Sequence, residues 1–170
     1  MGSMPDLGKN RTGRTKYGTP ASATMPKPKI KDQDIVEITK SAVQIFRSSN
    51  LKIKTTKEKI IWPIDRTQWI RVLTNLIQNA IQAVPENRKP KINLEILLEK
   101  NKLKINLEDN GTGIIKKDQL KIFEPKFTTK SAGMGLGLAI VKNIIDSLNG
   151  SISFYSEPNR GTKFSIILKK

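Results

Sequence analysis

A chain of 170 residues has room for one domain of ordinary size plus a tail, and it can bury a core without disulfide or metal staples. It holds neither cysteine nor histidine, which excludes thiolate chemistry, His-ligated metals, Ser-His-Asp triads and the usual general base. The net charge of +16 would favour nucleic acid if it were clustered, but the lysines are spread along the whole chain and read as a solvated surface, so no nucleic-acid partner is expected.

Residues 1–29 combine Gly, Pro, Thr, Ser and basic side chains with almost no apolar content, a composition that cannot offset the entropy of ordering. They are expected to be a disordered tail or linker, and the opening Met-Gly-Ser-Met has the look of a cloning remnant. Residues 30–170 are left as the folded domain. Ile35, Ile38, Ala42, Ile45 and Phe46 fall at three- and four-residue steps and predict an amphipathic helix from Asp34 to about Ser48. A short strand is expected over Lys52 to Thr56, and at most an edge strand over Ile60 to Ile64, because Pro63 interrupts it.

Asp65 with Gln68 three residues later resembles a capping box, and the helix it opens runs to Val84 before Pro85 stops it. At 100° per residue, Trp69, Val72, Leu73, Leu76, Ile77, Ala80, Ala83 and Val84 fill one broad arc, as suits a helix lying on a sheet. The opposite side carries Arg71, Asn75, Gln78, Asn79 and Gln82. Interior Asn is a mediocre helix former, so this uncharged amide face in a lysine-rich chain is either simple solvation or a chosen binding face.

Ile92, Leu94, Ile96 and Leu98 alternate with polar residues, as do Leu103, Ile105 and Leu107, which predicts two antiparallel strands with one face buried. Asp109 continues the parity of the second strand, so its carboxylate leaves on the core side and requires a partner. The Asn110-Gly111-Thr112-Gly113 that follows is turn chemistry in any reading. From Ile114 to Ala132 the periodicity weakens apart from a short helix around Asp118 to Ile122, and a connection this long inside a compact domain suits a lid or binding loop. Phe123, Pro125 and Phe127 would anchor it, with Thr128, Thr129 and Lys130 as phosphate donors.

Gly133, Gly135 and Gly137 lead into a helix marked by Ile140, Ile144 and Leu148, flanked by Val141 and Ile145 and stopped at Asn149-Gly150. Glycines opening a helix can cradle phosphate on backbone amides. The spacing fits neither the dinucleotide fingerprint nor the P-loop, which needs Gly-Lys-Ser/Thr where Leu138 and Ala139 follow Gly137. A hairpin of Ser151 to Ser156 and Thr162 to Lys169 closes the chain. The sum is an α+β, two-layer sandwich: a mixed, mostly antiparallel sheet covered on one face by about three helices.

Several separated segments together resemble the ATP-binding catalytic domain of sensor histidine kinases, in the superfamily that also holds gyrase and MutL and shares the Bergerat fold with its ATP lid. Asn75-Leu76-Ile77-Gln78-Asn79-Ala80 is similar to its N box, Asp109-Asn110-Gly111-Thr112-Gly113-Ile114 to the G1 box, Phe123-Glu124-Pro125-Lys126-Phe127 to the F box, and Gly133-Met134-Gly135-Leu136-Gly137-Leu138 to the G2 box. Gly161-Thr162-Lys163-Phe164 resembles the last glycine-threonine element, and the N and G2 boxes look closest to kinases of nitrogen-regulation type. The likeness spans about Asp34 to Lys170.

The resemblance implies ATP and Mg²⁺ as ligands. Asp109 would accept from the adenine amino group, helped through water by Thr162, with Gly111, Gly113 and Ile114 beside the base and Phe123 in the flanking F box. Asn79 would be the Mg²⁺ ligand and Asn75 would assist at the phosphates. Thr128, Thr129, Lys130 and the backbone from Gly133 through Gly135, Leu136, Gly137 and Leu138 would hold the phosphates, so that Asn75, Asn79 and Lys130 carry the chemistry. Gln82 stands where many members have Lys or Arg, leaving Arg71 or Lys130 to supply that charge.

Kinases of this kind phosphorylate a histidine on a helical hairpin, and this chain has none. The expectation is therefore a cytoplasmic, monomeric catalytic fragment with no membrane contact of its own. It would present a γ-phosphate to the histidine-bearing dimerisation domain of a homodimeric parent, whose other partner is a response regulator, and any membrane anchor would lie outside the fragment. An ATPase of the gyrase kind is the alternative enzyme, and a non-catalytic nucleotide-binding module the alternative of another class. The ATPases use a glutamate where Asn75 stands, and an amide cannot take a proton near neutral pH.

Overall fold

A computed structural model of the chain describes residues 27–46, 50–127 and 135–170. In chain order the elements are β1 (Lys31–Asp34), α1 (Ile35–Val43) with a 3-10 turn over Gln44–Phe46, β2 (Asn50–Thr55), β3 (Ile61–Ile64), α2 (Arg66–Gln82), β4 (Lys91–Glu99), β5 (Lys102–Asp109), α3 (Lys116–Gln119), α4 (Gly137–Ser147), β6 (Ser151–Glu157) and β7 (Gly161–Lys169). The main sheet has the order β2-β4-β5-β7-β6. Every neighbouring pair in it is antiparallel except β2 and β4, which run parallel from Asn50 opposite Lys91 to Thr55 opposite Ile96. The α+β two-layer sandwich expected from the sequence is the fold observed.

Period-two patterning explains the layers. On β4, β5 and β7 the side chains of Ile92, Leu94, Ile96, Leu103, Ile105, Leu107, Phe164, Ile166 and Leu168 are buried beneath the helices. The opposite face is polar, with cross-strand neighbours such as Glu95 and Asn106, then Asn106 and Ser165, whose hydroxyl donates to Asn106 Oδ1 at 2.9 Å. Helix α2 presents Trp69, Val72, Leu73, Leu76, Ile77 and Ala80 to the core, the arc predicted from the wheel. At its start the buried Trp69 indole donates to Thr39 Oγ1 at 3.2 Å, and that hydroxyl donates to the Ile35 carbonyl, which fastens α2 to α1.

The differences from expectation are local. Helix α1 ends at Val43 and tightens to 3-10 geometry through Phe46, and the predicted extension to Ser48 falls on residues outside those described. Strand β1 was not foreseen. Its sequence, Lys-Asp-Gln-Asp, has no apolar alternation, and it forms because β3 offers an edge, pairing Lys31 with Ile64 through Asp34 with Ile61. That makes a separate two-stranded sheet, in which Pro63 is tolerated as edge strands allow. Just before the boundary expected at residue 30, the Lys29 amide donates to Asp65 Oδ2 at 2.6 Å.

Only half of the capping box at α2 is made. Asp65 Oδ1 accepts from the Gln68 amide at 3.0 Å, while Gln68 Oε1 is buried with no partner among the described residues. Among the described residues no helix is long and apolar enough to cross a membrane.

Candidate functional site

One end of the sandwich opens into a cavity of about 650 Å³ between α2, the loop after β5, the start of β7 and the N-terminus of α4. Its floor is the polar face of α2. Arg71, Asn75, Gln78, Asn79 and Gln82 all line it, so the amide face that might have been simple solvation belongs to a concave site. Asn75 donates to the Arg71 carbonyl at 2.9 Å, a bond along the helix that turns its side-chain oxygen toward α4. A Cβ added to Gly137 would lie 2.9 Å from that oxygen, so the first residue of α4 sits close against Asn75.

Asp109 closes the far end. It is 5% exposed at the last position of β5, on the face shared by Leu103, Ile105 and Leu107. Its Oδ1 accepts from the amides of Gly111 at 2.8 Å and Thr162 at 3.3 Å, and these two donors offset much of the cost of burying the charge. Gly161, at φ +96°, lies directly on the Asp109 carbonyl, where any Cβ would overlap it. The loop after Asp109 is bonded to α2 and to the final hairpin: the Thr112 amide donates to the Ala83 carbonyl at 2.9 Å, and the Asn159 amide donates to the Thr112 carbonyl at 2.7 Å.

The third wall is the start of α4. Gly135, Leu136, Gly137, Leu138 and Ile140 line the cavity, and among the described residues no side chain caps the helix, whose first-turn amides are donors that suit a ligand. The Lys126 amide donates to the Gly135 carbonyl at 2.9 Å, joining the segment that ends at Phe127 to the glycine stretch.

Of the residues expected at the site, Asn75, Asn79, Asp109, Gly113, Ile114, Gly135, Leu136, Gly137, Leu138 and Thr162 line the cavity. Gly111 lies behind the Asp109 carboxylate and packs against Ala83. Phe123 stands one layer back, edge-on to Phe154 and Phe164 with ring centroids 6.0 and 6.5 Å away, and of these three Phe164 reaches the cavity. Thr128, Thr129, Lys130 and Gly133 fall outside the described residues.

The sequence reading passed over Thr112, Asp118, Ile122 and Ile140 in the lining, and it missed a buried polar cluster behind it. Ser156, 9% exposed, accepts from the Ile114 amide at 2.8 Å and lies 2.9 Å from Thr162 Oγ1 and 3.1 Å from the Gly161 carbonyl. Gln119 donates to the carbonyls of Ile114 and Ser156 at 2.9 and 3.2 Å. Parity was the available signal: Ser156 continues the series Ile152, Phe154 and so faces the covered side of its strand. Nearby, the Tyr155 hydroxyl donates to Glu157 and, with Arg160 beside it, holds the Glu157 carboxyl below its ordinary value against the opposing effect of burial.

Residues 64–170 match the family of histidine kinase-, DNA gyrase B- and HSP90-like ATPases. The chain is a member of that family. Within it the chain is similar to sensor kinases: it is 39% identical over 110 residues to the sensor protein TdiS of Thauera aromatica, covering 62% of this chain and 20% of the relative. It is 32% identical over 156 residues to the nitrogen regulation protein NtrY of Azorhizobium caulinodans, covering 86% of this chain and 20% of that protein. The chain thus spans about a fifth of the length of these curated relatives. The nucleotide-free catalytic domain of the histidine kinase ThkA superposes with a TM-score of 0.74 at 31% identity, over 83% of this chain and 95% of that one. The chain is accordingly an ATP-binding catalytic domain of histidine kinase type within this ATPase family.

Proposed function

We propose that residues 30–170 form the catalytic unit of a sensor histidine kinase, which binds Mg²⁺-ATP and presents its γ-phosphate to a histidine carried by a helical hairpin of the longer protein. The observation that supports this best is the polarity of the cavity along α2. Ala83 and Asp109 mark one end, Arg71 and Asn75 the other, and the eight steps along the helix from Asn75 to Ala83 span about 12 Å at 1.5 Å per step. Purine at the carboxylate would therefore place phosphates between the amide side chains and the first turn of α4.

In this reading Asp109 accepts from the exocyclic amino group of adenine, while Asn75 and the α4 amides orient the phosphates. Arg71, which lines the cavity one turn before Asn75, supplies the charge that Gln82 lacks. Lys130, Thr128 and Thr129 are assigned to the phosphates on the family resemblance. The donor set suits Mg²⁺: Asn79 offers a hard side-chain oxygen and, among the described residues, no three of His, Cys, Asp and Glu gather into a site that would hold a metal without phosphate. When bound, the ion neutralises charge on the phosphoryl oxygens. Asn75 cannot act as a base toward water, so the geometry favours holding the γ-phosphate over hydrolysing it. The phosphoryl acceptor, and a response regulator downstream of it, belong to other domains or chains.

The test is transfer in trans. With γ-labelled ATP and Mg²⁺, the chain alone should acquire no label, and a histidine-bearing helical hairpin added to it should become labelled. Label on the isolated chain, or rapid release of inorganic phosphate without the hairpin, would overturn the assignment.

A further inference from the structure

The lysines that look evenly spread in the sequence are not evenly spread in space. Three separate segments meet at the end of the sandwich farthest from the cavity. The hairpin of β4 and β5 supplies Lys100, Lys102 and Lys104, with Glu99 as the acid at its tip. The end of β7 lies alongside, with Lys169 directly opposite Lys102 and the Lys170 amide donating to the Asn101 carbonyl at 3.1 Å. On the other side of the hairpin, the Thr56 amide donates to the Ile96 carbonyl and its hydroxyl accepts from the Leu98 amide, each at 3.1 Å, so Lys57-Glu58-Lys59 emerges beside β4. All these lysines are exposed except Lys104, which is half-buried. Lysine opposite lysine on neighbouring strands is unfavourable, and among the described residues none of these side chains joins an ion pair.

We propose that this lysine pole is a peripheral docking surface for an anionic lipid bilayer. The residue types decide the partner. Lysine is a flexible, strongly hydrated point charge that needs no fixed partner geometry, whereas arginine is the residue of bidentate phosphate and carboxylate recognition. The three segments hold seven lysines and no arginine. Protein interfaces centre on aromatic or arginine anchors, and single-stranded nucleic acid on aromatic platforms. The segments carry neither, and the neighbouring Trp62 is 3% exposed, with the Lys170 ammonium 5.1 Å from its ring centroid. A convex tip of mobile ammonium groups suits a fluid layer of phosphate headgroups, where each lysine near the surface strengthens binding about fivefold. Strand β5 runs from Lys102 at this pole to Asp109 at the cavity, seven steps or about 23 Å, so a bilayer at the pole leaves the cavity mouth open. The inference does not depend on which ligand fills the cavity. It departs from the expectation that the domain has no membrane contact of its own, because gathered charge needs no apolar span.

The test is sedimentation of the chain with vesicles of phosphatidylcholine, with and without phosphatidylglycerol. The chain should pellet with the anionic vesicles, stay in solution with phosphatidylcholine alone, and be released as salt is raised. Lys102→Gln, Lys104→Gln and Lys169→Gln together should weaken partitioning about a hundredfold, and Lys57→Gln with Lys59→Gln should act in the same direction. The control is Lys116→Gln, Lys117→Gln and Lys121→Gln, three exposed lysines beside Asp118 and Ile122 of the cavity wall. It removes the same charge as the first triple variant and should cost less than about fivefold. Residues 1–29 are common to all the variants, so their basic side chains cancel in the comparison. An unchanged thermal midpoint in the pole variant separates lost docking from lost fold. Equal weakening in the two triple variants, or no binding to the anionic vesicles, overturns the pole as a docking surface. Duplex DNA bound more tightly than the vesicles, and released by the same three substitutions at the pole, overturns the lipid assignment in favour of nucleic acid.

Discussion

The Thr112 amide donates to the Ala83 carbonyl at 2.9 Å, binding the loop that follows Asp109 to the end of the helix that carries Asn75 and Asn79. The two halves of the site, one at the sheet edge and one along α2, are thereby held at a fixed separation. Gly111 makes the closeness possible. A Cβ there would stand 2.7 Å from Ala83 Cβ and 2.8 Å from both the Ala83 carbonyl and Asp109 Oδ1. Gly111→Ala should therefore force the loop off α2, at a cost of about 1–3 kcal/mol in urea unfolding and with weaker ADP binding. Unchanged stability and affinity would mean that the loop and helix move independently.

Asp109→Asn separates chemistry from scaffolding. An asparagine keeps a side-chain oxygen for the amides of Gly111 and Thr162, so the thermal midpoint should fall only slightly. What it loses is the charge, and one acceptor becomes an N–H₂ donor. ADP should bind roughly a hundredfold more weakly, the equivalent of about 2–3 kcal/mol for a charge-assisted hydrogen bond. Equal affinities in calorimetry would remove Asp109 from base recognition.

The fold was largely readable because its strands alternate strictly, and the same parity that buried Leu103, Ile105 and Leu107 carried Asp109 inward. The amide face of α2 was readable as a pattern, but its purpose was not. Solvation and binding look alike until α4 is laid across it, and that packing is a long-range event. Strand β1 and the parallel pairing of β2 with β4 escaped for the same reason: both depend on which edge is nearby in space. Ser156 is the instructive miss. A serine at an inward position of an edge strand looks like a weak core residue, and only the approach of Ile114 and Gly161 makes it a polar hub.

Asp65 joins the segment before β1 to α2, accepting from the Gln68 amide on Oδ1 and from the Lys29 amide on Oδ2. Burial raises its pKa, but the donated amides of Gln68, Lys29 and Thr67 outweigh this and leave the carboxyl below its ordinary value. A carboxyl depressed in the folded state adds stability above its unfolded pKa and loses it as pH falls through the folded value. Asp65→Ala should cost about 1 kcal/mol at neutral pH, as for other lost helix caps. The gap between parent and variant should narrow below the ordinary carboxylate range, as the parent's Asp65 becomes protonated. Denaturation midpoints measured from neutral to strongly acidic pH would show this, and a gap independent of pH would assign the effect to lost packing.

Gly137 offers the sharpest contrast between stability and function. It is the first residue of α4, so alanine suits its backbone at least as well, and the thermal midpoint of Gly137→Ala should hold or rise. The new methyl group would sit 2.9 Å from Asn75 Oδ1, on the flexible end of a side chain that can swing away. The direction open to Asn75 is into the cavity, where the phosphate chain is assigned. AMP, whose single phosphate lies nearest the ribose, should be little affected, whereas ATP should bind about tenfold more weakly. The ratio of the two affinities, measured side by side by calorimetry, isolates the phosphate end from the base end. If AMP weakened as much as ATP, the methyl group would be acting on the whole cavity, and Asn75 would lose its place beside the terminal phosphates.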